Sequence, residues 1–282
     1  MSSEMTRRQW VEVGGHRLAY ARAGHGPAVV LIHGIPTSSV LWRHTAPHLI
    51  GAGFEVLAID LLGYGASDKP LDTDLGIAAQ SRLLARALKE LDVPLGTLVG
   101  HDIGGGGVQL MCADRLVSPE RIVLVDSIAY DSFPEPGIAR LKDPAWDAIL
   151  GAADFDLSKG LAKGFARGMV HKDRISAEMI AAYVGPFQGV EGRRAYLRAA
   201  RALRTEELST RTDAVERLDM PALIVWGAED VFQRPDYGAR LADAMPRARF
   251  ELIPQAGHFL PEDEPERLAR LLADFVKSDG GA

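Results

Sequence analysis

The segment Val99-Gly100-His101-Asp102-Ile103-Gly104 has the composition of a tight strand-to-helix turn that presents one acidic side chain. The apolar residues before it are typical of a strand, and the small residues after it allow a helix to begin. Glycines stand two positions before and two positions after Asp102, where larger side chains would crowd so tight a turn. The pattern predicts that the Asp102 carboxylate is held out above the edge of a sheet.

A carboxylate in this position favours attack at a saturated carbon over attack at an ester or amide carbonyl. Attack on a carbonyl would give a reactive anhydride, whereas displacement at a saturated carbon gives a stable alkyl ester. Water must then open that ester in a second step. The sequence therefore predicts a hydrolase that works through a covalent ester on Asp102.

Two further residues, Asp230 and His258, complete a candidate catalytic triad with Asp102. Each follows a predicted strand, so each is expected on a loop at the carboxyl edge of the sheet. In such a triad the histidine acts as a base, and the acid fixes its tautomer and stabilises its positive charge. Asp126, directly after another predicted strand, is an alternative acid that we rank second, because it also suits the capping of a turn.

These positions depend on an alternation of apolar strands with helical patterns along the chain. A hairpin is predicted over Gln9–Arg22. The later strands are predicted at Ala28–Ile32, Glu55–Ile59, Gly96–Val99, Arg121–Val125, Ala222–Trp226 and Ala248–Ile253. Helices are predicted at Ser38–Ile50, Leu75–Leu91, Gly105–Leu116, Pro235–Met245 and Glu262–Val276. This order predicts an α/β fold with a mostly parallel central sheet and helices on both faces.

The alternation stops between about Tyr130 and Asp219, where helical patterns occur without a strong strand. We therefore expect a core formed by residues 1–129 and 220–282, with a helical cap over residues 130–219. Ligands of such sheets bind at the carboxyl ends of the strands. A cap placed there would shape the pocket and exclude water from it.

The composition of this chain of 282 residues excludes some classes of binding partner. Hydrophobic residues make up 47% and charged residues 25%, which is ordinary for a globular protein. The net charge of −6 argues against a nucleic-acid partner and against an anionic membrane surface. The single cysteine, Cys112, excludes an intramolecular disulfide and fits a reducing compartment, so we predict a cytoplasmic protein.

The ligands expected from the sequence are a small hydrophobic substrate, suggested by the apolar cap, and water as its co-substrate. No apolar run of about 18 residues is present, so no membrane span is predicted. The chain has no HExxH, CxxC or Walker motif, so we expect no metal and no cofactor. Nothing in the sequence fixes an oligomeric state.

Four motifs together resemble the α/β-hydrolase group that contains epoxide hydrolases and haloalkane dehalogenases. The segments are the oxyanion loop at His33–Ser39, the Gly-x-Gly-x-Ser-Asp loop within Asp60–Pro70, the nucleophile elbow at Gly100–Gly105 and the histidine loop at Ala256–Leu260. The resemblance covers nearly the whole chain and is weakest in the cap. It implies an α/β-hydrolase fold, and the motifs are common to both activities.

The resemblance also implies a role for each site residue. Asp102 would attack carbon, and the backbone N–H groups of Ile35 and Ile103 would form the oxyanion hole. His258 would activate the water that opens the ester, supported by Asp230. Some dehalogenases that resemble this chain keep the acid at the position of Asp126, so both acids stay open at this stage.

The side chains that would bind a departing halide are missing from the usual positions. Haloalkane dehalogenases use a Trp directly after the nucleophile, with either an Asn after the His-Gly pair or a Trp in the cap. Here the first two positions are Ile103 and Ile35, and Trp146 is the remaining candidate. Loss of such a donor typically costs on the order of 10²–10³ in rate.

Epoxide hydrolases instead use cap tyrosines that donate to the epoxide oxygen, and this chain offers Tyr183 and Tyr196. Tyr196 is offset by one residue from the family position, which on a helix turns a side chain by about 100°. The sequence favours epoxide hydrolysis, with haloalkane dehalogenation second. A third hypothesis is a non-catalytic small-molecule receptor on a hydrolase scaffold. The candidate triad argues against it, because a receptor does not need His258.

Overall fold

An eight-stranded sheet forms the centre of the computed structural model, which describes residue 5 and residues 7–278. The strands lie in the order β1-β2-β4-β3-β5-β6-β7-β8. Their bounds are β1 Gln9–Val13, β2 His16–Ala23, β3 Ala28–Ile32, β4 Glu55–Ile59, β5 Thr97–His101, β6 Arg121–Val125, β7 Ala222–Gly227 and β8 Ala248–Ile253. Strand β2 pairs antiparallel with β1 and β4, and the other pairs are parallel, which confirms the predicted sheet.

The hairpin predicted over Gln9–Arg22 is present, and it turns at Gly14 and Gly15. Gly14 and Gly15 both have positive φ, at 59° and 80°, and Val13 pairs with His16 across the turn. Two-residue turns with positive φ at both positions match the twist of the adjoining strands, and glycine adopts them without steric cost.

Helices connect the strands and cover both faces of the sheet. The α-helices outside residues 130–219 are α1 Ala46–Gly51, α2 Ile77–Glu90, α3 Ile103–Ala113, α11 Pro235–Ala244, α12 Leu260–Asp263 and α13 Pro265–Lys277. Two predicted helices are interrupted. A 3₁₀ helix at Ser39–Trp42 precedes α1, and α12 is separate from α13. In each case a proline in the first turn of the second helix cannot donate the backbone hydrogen bond that a continuous helix needs.

Between β6 and β7 lies an inserted segment, residues 130–219, whose regular elements are all helical among the residues described. Its α-helices are α4 Pro136–Ala139, α5 Ala145–Gly151, α6 Leu157–Gly168, α7 Ala177–Val184, α8 Gly189–Arg201, α9 Glu206–Ser209 and α10 Thr212–Glu216, with 3₁₀ helices at Arg140–Lys142, Lys172–Arg174 and Gly185–Phe187. The segment follows the carboxyl end of β6, which places it where a ligand of the sheet would bind.

The core lies on both faces of the sheet, because the interior strands are apolar at successive positions. In β3, Val30 and Ile32 pack into one cluster and Val29 and Leu31 into the other, and all of its residues are buried. Such strands are typical of a parallel sheet covered on two sides. Among the residues described, no helix is long and apolar enough to cross a bilayer.

Candidate active site

The turn between β5 and α3 gives Asp102 an unusual backbone conformation, with φ 50° and ψ −121°. The glycines on either side make this turn feasible. A Cβ on Gly100 would lie 2.5 Å from the carbonyl oxygen of Gly104, and a Cβ on Gly104 would lie 2.4 Å from that of His33. Both are far below van der Waals contact, so the turn requires glycine at these two positions.

The Asp102 carboxylate is buried and faces two backbone N–H groups. The N–H of Ile35 donates to Oδ2 at 3.0 Å, and the N–H of Ile103 also stabilises the carboxylate. Burial raises the pKa of Asp102 to about 6, although His258 and these two N–H groups act to lower it. The carboxylate, the form able to attack carbon, therefore predominates above about pH 6.

His258 lies beside a second buried carboxylate. Its Nδ1 is 2.9 Å from Oδ2 of Asp230, and the other oxygen of Asp230 accepts from the N–H groups of Phe232 at 2.8 Å and Gln233 at 2.9 Å. Burial lowers the pKa of His258, but the charges of Asp230 and Asp102 and the hydrogen bond to Asp230 together raise it to about 9. The arrangement holds the imidazole by one nitrogen and leaves the other for proton transfer.

Asp126 is close to this pair but does not bind His258. Its Oδ1 accepts from the N–H of Gly227 at 2.7 Å, and its Oδ2 has no partner among the residues described. Burial, with the charge of Asp230, holds the pKa of Asp126 well above its usual range. Of the two predicted acids, only Asp230 is hydrogen-bonded to the imidazole.

The pocket above Asp102 has a volume of about 430 Å³, within the range of small-molecule sites. Asp102 and His258 line it together with Ile35 and Ile103. Most of its other wall is apolar and comes from both the core and the inserted segment: Ile128, Phe133, Ile138, Leu161, Phe165, Leu203, Phe232 and Phe259. No tryptophan is among the described lining residues, Trp146 included.

The two predicted tyrosines have different surroundings. Tyr196 on α8 lines the pocket despite its offset, with its ring 5.4 Å from that of Phe187. Among the residues described, its hydroxyl has no hydrogen-bond partner, and burial raises its pKa to about 12, so it stays protonated. Tyr183 does not line the pocket. Its hydroxyl donates to Glu262 and accepts from Arg43 at 3.2 Å, so of the two candidate cap electrophiles Tyr196 lines the pocket and Tyr183 does not.

Several residues that support or line this site were not predicted from the sequence. Nε2 of His101 donates to the carbonyl oxygen of His258 at 2.8 Å, and burial lowers its pKa, so the ring is neutral. Gln233 lines the pocket with Oε1 unpartnered among the described residues. Tyr64, on the loop after β4, is fully buried with an unpartnered hydroxyl, and burial followed by the charge of Asp102 raises its pKa.

Asp263 connects the inserted segment to the histidine loop. Its carboxylate accepts from the N–H of Gly257 at 2.9 Å, of Val170 at 2.9 Å and of His171 at 3.0 Å, and the side chain is fully buried. Because Gly257 directly precedes His258, this contact fixes the histidine loop against the end of α6. The signal in the sequence was the short acidic run that follows His258.

We expect Asp263→Asn to lower the free energy of unfolding by about 3 kcal/mol. An amide keeps one acceptor oxygen but presents an N–H₂ group to backbone donors, and each lost charged hydrogen bond costs about 1.5–3 kcal/mol. Urea unfolding measures the change. Glu264→Gln is the matched control, since Glu264 is partly exposed and bonds only the His171 ring at 3.1 Å. Equal destabilisation by both variants would contradict the connecting role of Asp263.

Known proteins that resemble this chain in sequence and in structure are consistent with this geometry. A family model described as the alpha/beta hydrolase fold matches residues 27–265. A soluble epoxide hydrolase from Corynebacterium is 30% identical in an alignment that covers 94% of this chain and 95% of that protein. The crystal structure of an alpha/beta hydrolase fold protein from Burkholderia ambifaria superposes with a TM-score of 0.85 at 27% identity, covering 95% of this chain and 100% of that one. A haloalkane dehalogenase from Bradyrhizobium elkani gives a TM-score of 0.80 at 25% identity, covering 96% and 97%.

Proposed function

The chain belongs to the α/β-hydrolase superfamily, in the group of epoxide hydrolases and haloalkane dehalogenases, and we propose that this enzyme hydrolyses epoxides. The observation that carries the proposal is one largely apolar pocket lined by Asp102, His258 and Tyr196, whose hydroxyl has no hydrogen-bond partner among the residues described. The inserted segment, residues 130–219, serves as the cap that supplies the hydroxyl and excludes water.

In the first step Oδ1 of Asp102 attacks a ring carbon, and the bond from that carbon to the epoxide oxygen breaks. The oxygen that leaves carbon gains negative charge and takes a proton from Tyr196. Because the pocket is largely apolar, a positioned donor is worth more there than in water. The product of this step is a hydroxyalkyl ester of Asp102.

In the second step His258 removes a proton from water, and the resulting hydroxide attacks the carbonyl carbon of the ester. Negative charge then develops on Oδ2, which already accepts from the N–H of Ile35, and the N–H of Ile103 stabilises the same group. The alkoxide leaves, takes the proton from His258 and departs as the diol. Asp102, now a carboxylic acid with one oxygen from water, loses its proton and the Tyr196 phenolate takes one up, so both groups return to their starting forms. Since the charge of Asp102 is one cause of the raised pKa of His258, esterification removes that cause and favours the neutral, basic imidazole.

Haloalkane dehalogenation is the second candidate, favoured by the similarity to a solved dehalogenase. The same ester would form, but a halide would leave in place of the epoxide oxygen. Ile35 and Ile103 offer no side-chain donor to that anion, and Trp146 lies outside the described lining of the pocket. We therefore expect little halide release from chloroalkanes and bromoalkanes.

A single turnover in ¹⁸O-water, with a panel of epoxides and haloalkanes of similar size, tests the proposal. We expect diol from the epoxides, with the label in the Asp102 peptide and none in the first diol formed, because water attacks the carbonyl carbon. Label that enters the first diol directly would contradict the ester. Halide release faster than diol formation would instead establish the second candidate.

A further inference from the structure

Four charged side chains line the pocket outside the Asp102–His258 pair. Three are cationic, Arg140, Lys163 and Arg167, and the fourth is Glu135. The three cations are exposed, so they stand at the mouth of the pocket, above its apolar wall. The carboxylate of Glu135 is already bound, because it accepts from Arg167 at 3.0 Å and from the N–H of Gly137 at 2.6 Å. Two positive charges therefore remain at the mouth without a compensating carboxylate.

Those two charges belong to Arg140 and Lys163, on different elements of the inserted segment. Arg140 begins a 3₁₀ helix and stacks its guanidinium 5.3 Å from the centre of the Trp146 ring, which holds the guanidinium in place. Lys163 lies on α6. Neither forms an ion pair within the part of the chain that the structure describes.

The local charge is opposite to that of the whole protein, which carries a net charge of −6. A positive mouth on an acidic protein attracts anions to one place, because the local field concentrates ligands of opposite sign. The wall beneath the mouth is apolar, and Asp102 at its far end repels a negative charge. A ligand that carries a negative charge would therefore place it at the mouth and its apolar part against the wall.

We propose that the substrate is an amphipathic anion, with an apolar body in the pocket and a terminal carboxylate bound by Arg140 and Lys163. Its epoxide lies on the apolar body, so this substrate class rests on the proposed function. The apolar cap segment of the sequence predicts a hydrophobic substrate, and the positive mouth adds one negative charge to that substrate. Exposed ion pairs are individually weak, so the two together should change affinity by about tenfold.

Binding of decanoate and of decanol to the intact protein, measured by calorimetry, tests the charge without any epoxide chemistry. We expect decanoate to bind about tenfold more tightly than decanol at low salt, and the preference to shrink at high salt. The variant Arg140→Gln/Lys163→Gln should bind the two ligands equally. The matched control is Lys159→Gln/Arg194→Gln, which removes the same charge from exposed positions outside the pocket lining and should keep the preference.

Turnover of a decanoate chain with a terminal epoxide, compared with its methyl ester, completes the test. We expect a higher kcat/KM for the carboxylate in the wild type and in the control variant only. Equal binding of decanoate and decanol by the wild type would overturn the inference, as would a preference that survives Arg140→Gln/Lys163→Gln. Charge-dependent binding without turnover of either epoxide would support the anion site and refute epoxide hydrolysis.

Discussion

His258→Gln should form the ester on Asp102 and then fail to hydrolyse it, so that the protein accumulates a stoichiometric covalent adduct. Attack by Asp102 needs no general base, whereas opening of the ester needs His258 to take a proton from water. We expect steady turnover to fall by about 10²–10⁴-fold, the range of a lost general base. Intact-mass analysis after exposure to substrate measures the adduct, and peptide mapping assigns it.

The mass of the adduct also identifies the leaving group. An epoxide adds its whole mass to the protein, because the opened oxygen stays attached, whereas a haloalkane adds its alkyl group without the halogen. The matched control is His258→Gln/Asp102→Ala, which has no carboxylate at the elbow and should stay unmodified. A protein that remains free of adduct in His258→Gln, with a substrate that the wild type consumes, would refute attack by Asp102.

Tyr196→Phe should lower epoxide turnover by about 10²-fold with little change in melting temperature. The substitution keeps the ring against Phe187 and removes only the hydroxyl, so the loss reports the donor and not the packing. Removal of one preorganised donor to a developing oxyanion typically has an effect of this order. The turnover rate for one epoxide and the melting temperature, each measured for the wild type and the variant, test these two expectations.

Tyr183→Phe is the matched control, and we expect it to lower stability while leaving turnover nearly unchanged. The Tyr183 hydroxyl is buried against Glu262 and Arg43, so its removal should reduce stability by about 1–3 kcal/mol and leave turnover within about twofold. Unchanged turnover in Tyr196→Phe would remove Tyr196 from the mechanism. Tyr64→Phe would then be the next variant to measure, because Tyr64 has an unpartnered hydroxyl near Asp102.

The sequence alone was sufficient to predict the sheet and the strand ends from which Asp102, Asp230 and His258 follow. The periodicity of the strands is local, and parallel strands joined by helices bring their carboxyl ends to one edge whatever the details of packing. The turn at Asp102 was also predictable, because its two glycines are required to avoid steric clashes within a few residues of the chain. The motif resemblance gave the superfamily before any contact was known.

Tertiary structure decided which side chains of the inserted segment reach the pocket. Tyr183 and Tyr196 were both candidates in the sequence, yet one is bound by Glu262 and the other lines the pocket. The contacts of Asp263 join chain segments about 90 residues apart. The uncompensated charge at the mouth depends on Arg167, which binds Glu135 from another helix. Such pairings follow from how helices pack across the chain, which local periodicity does not encode.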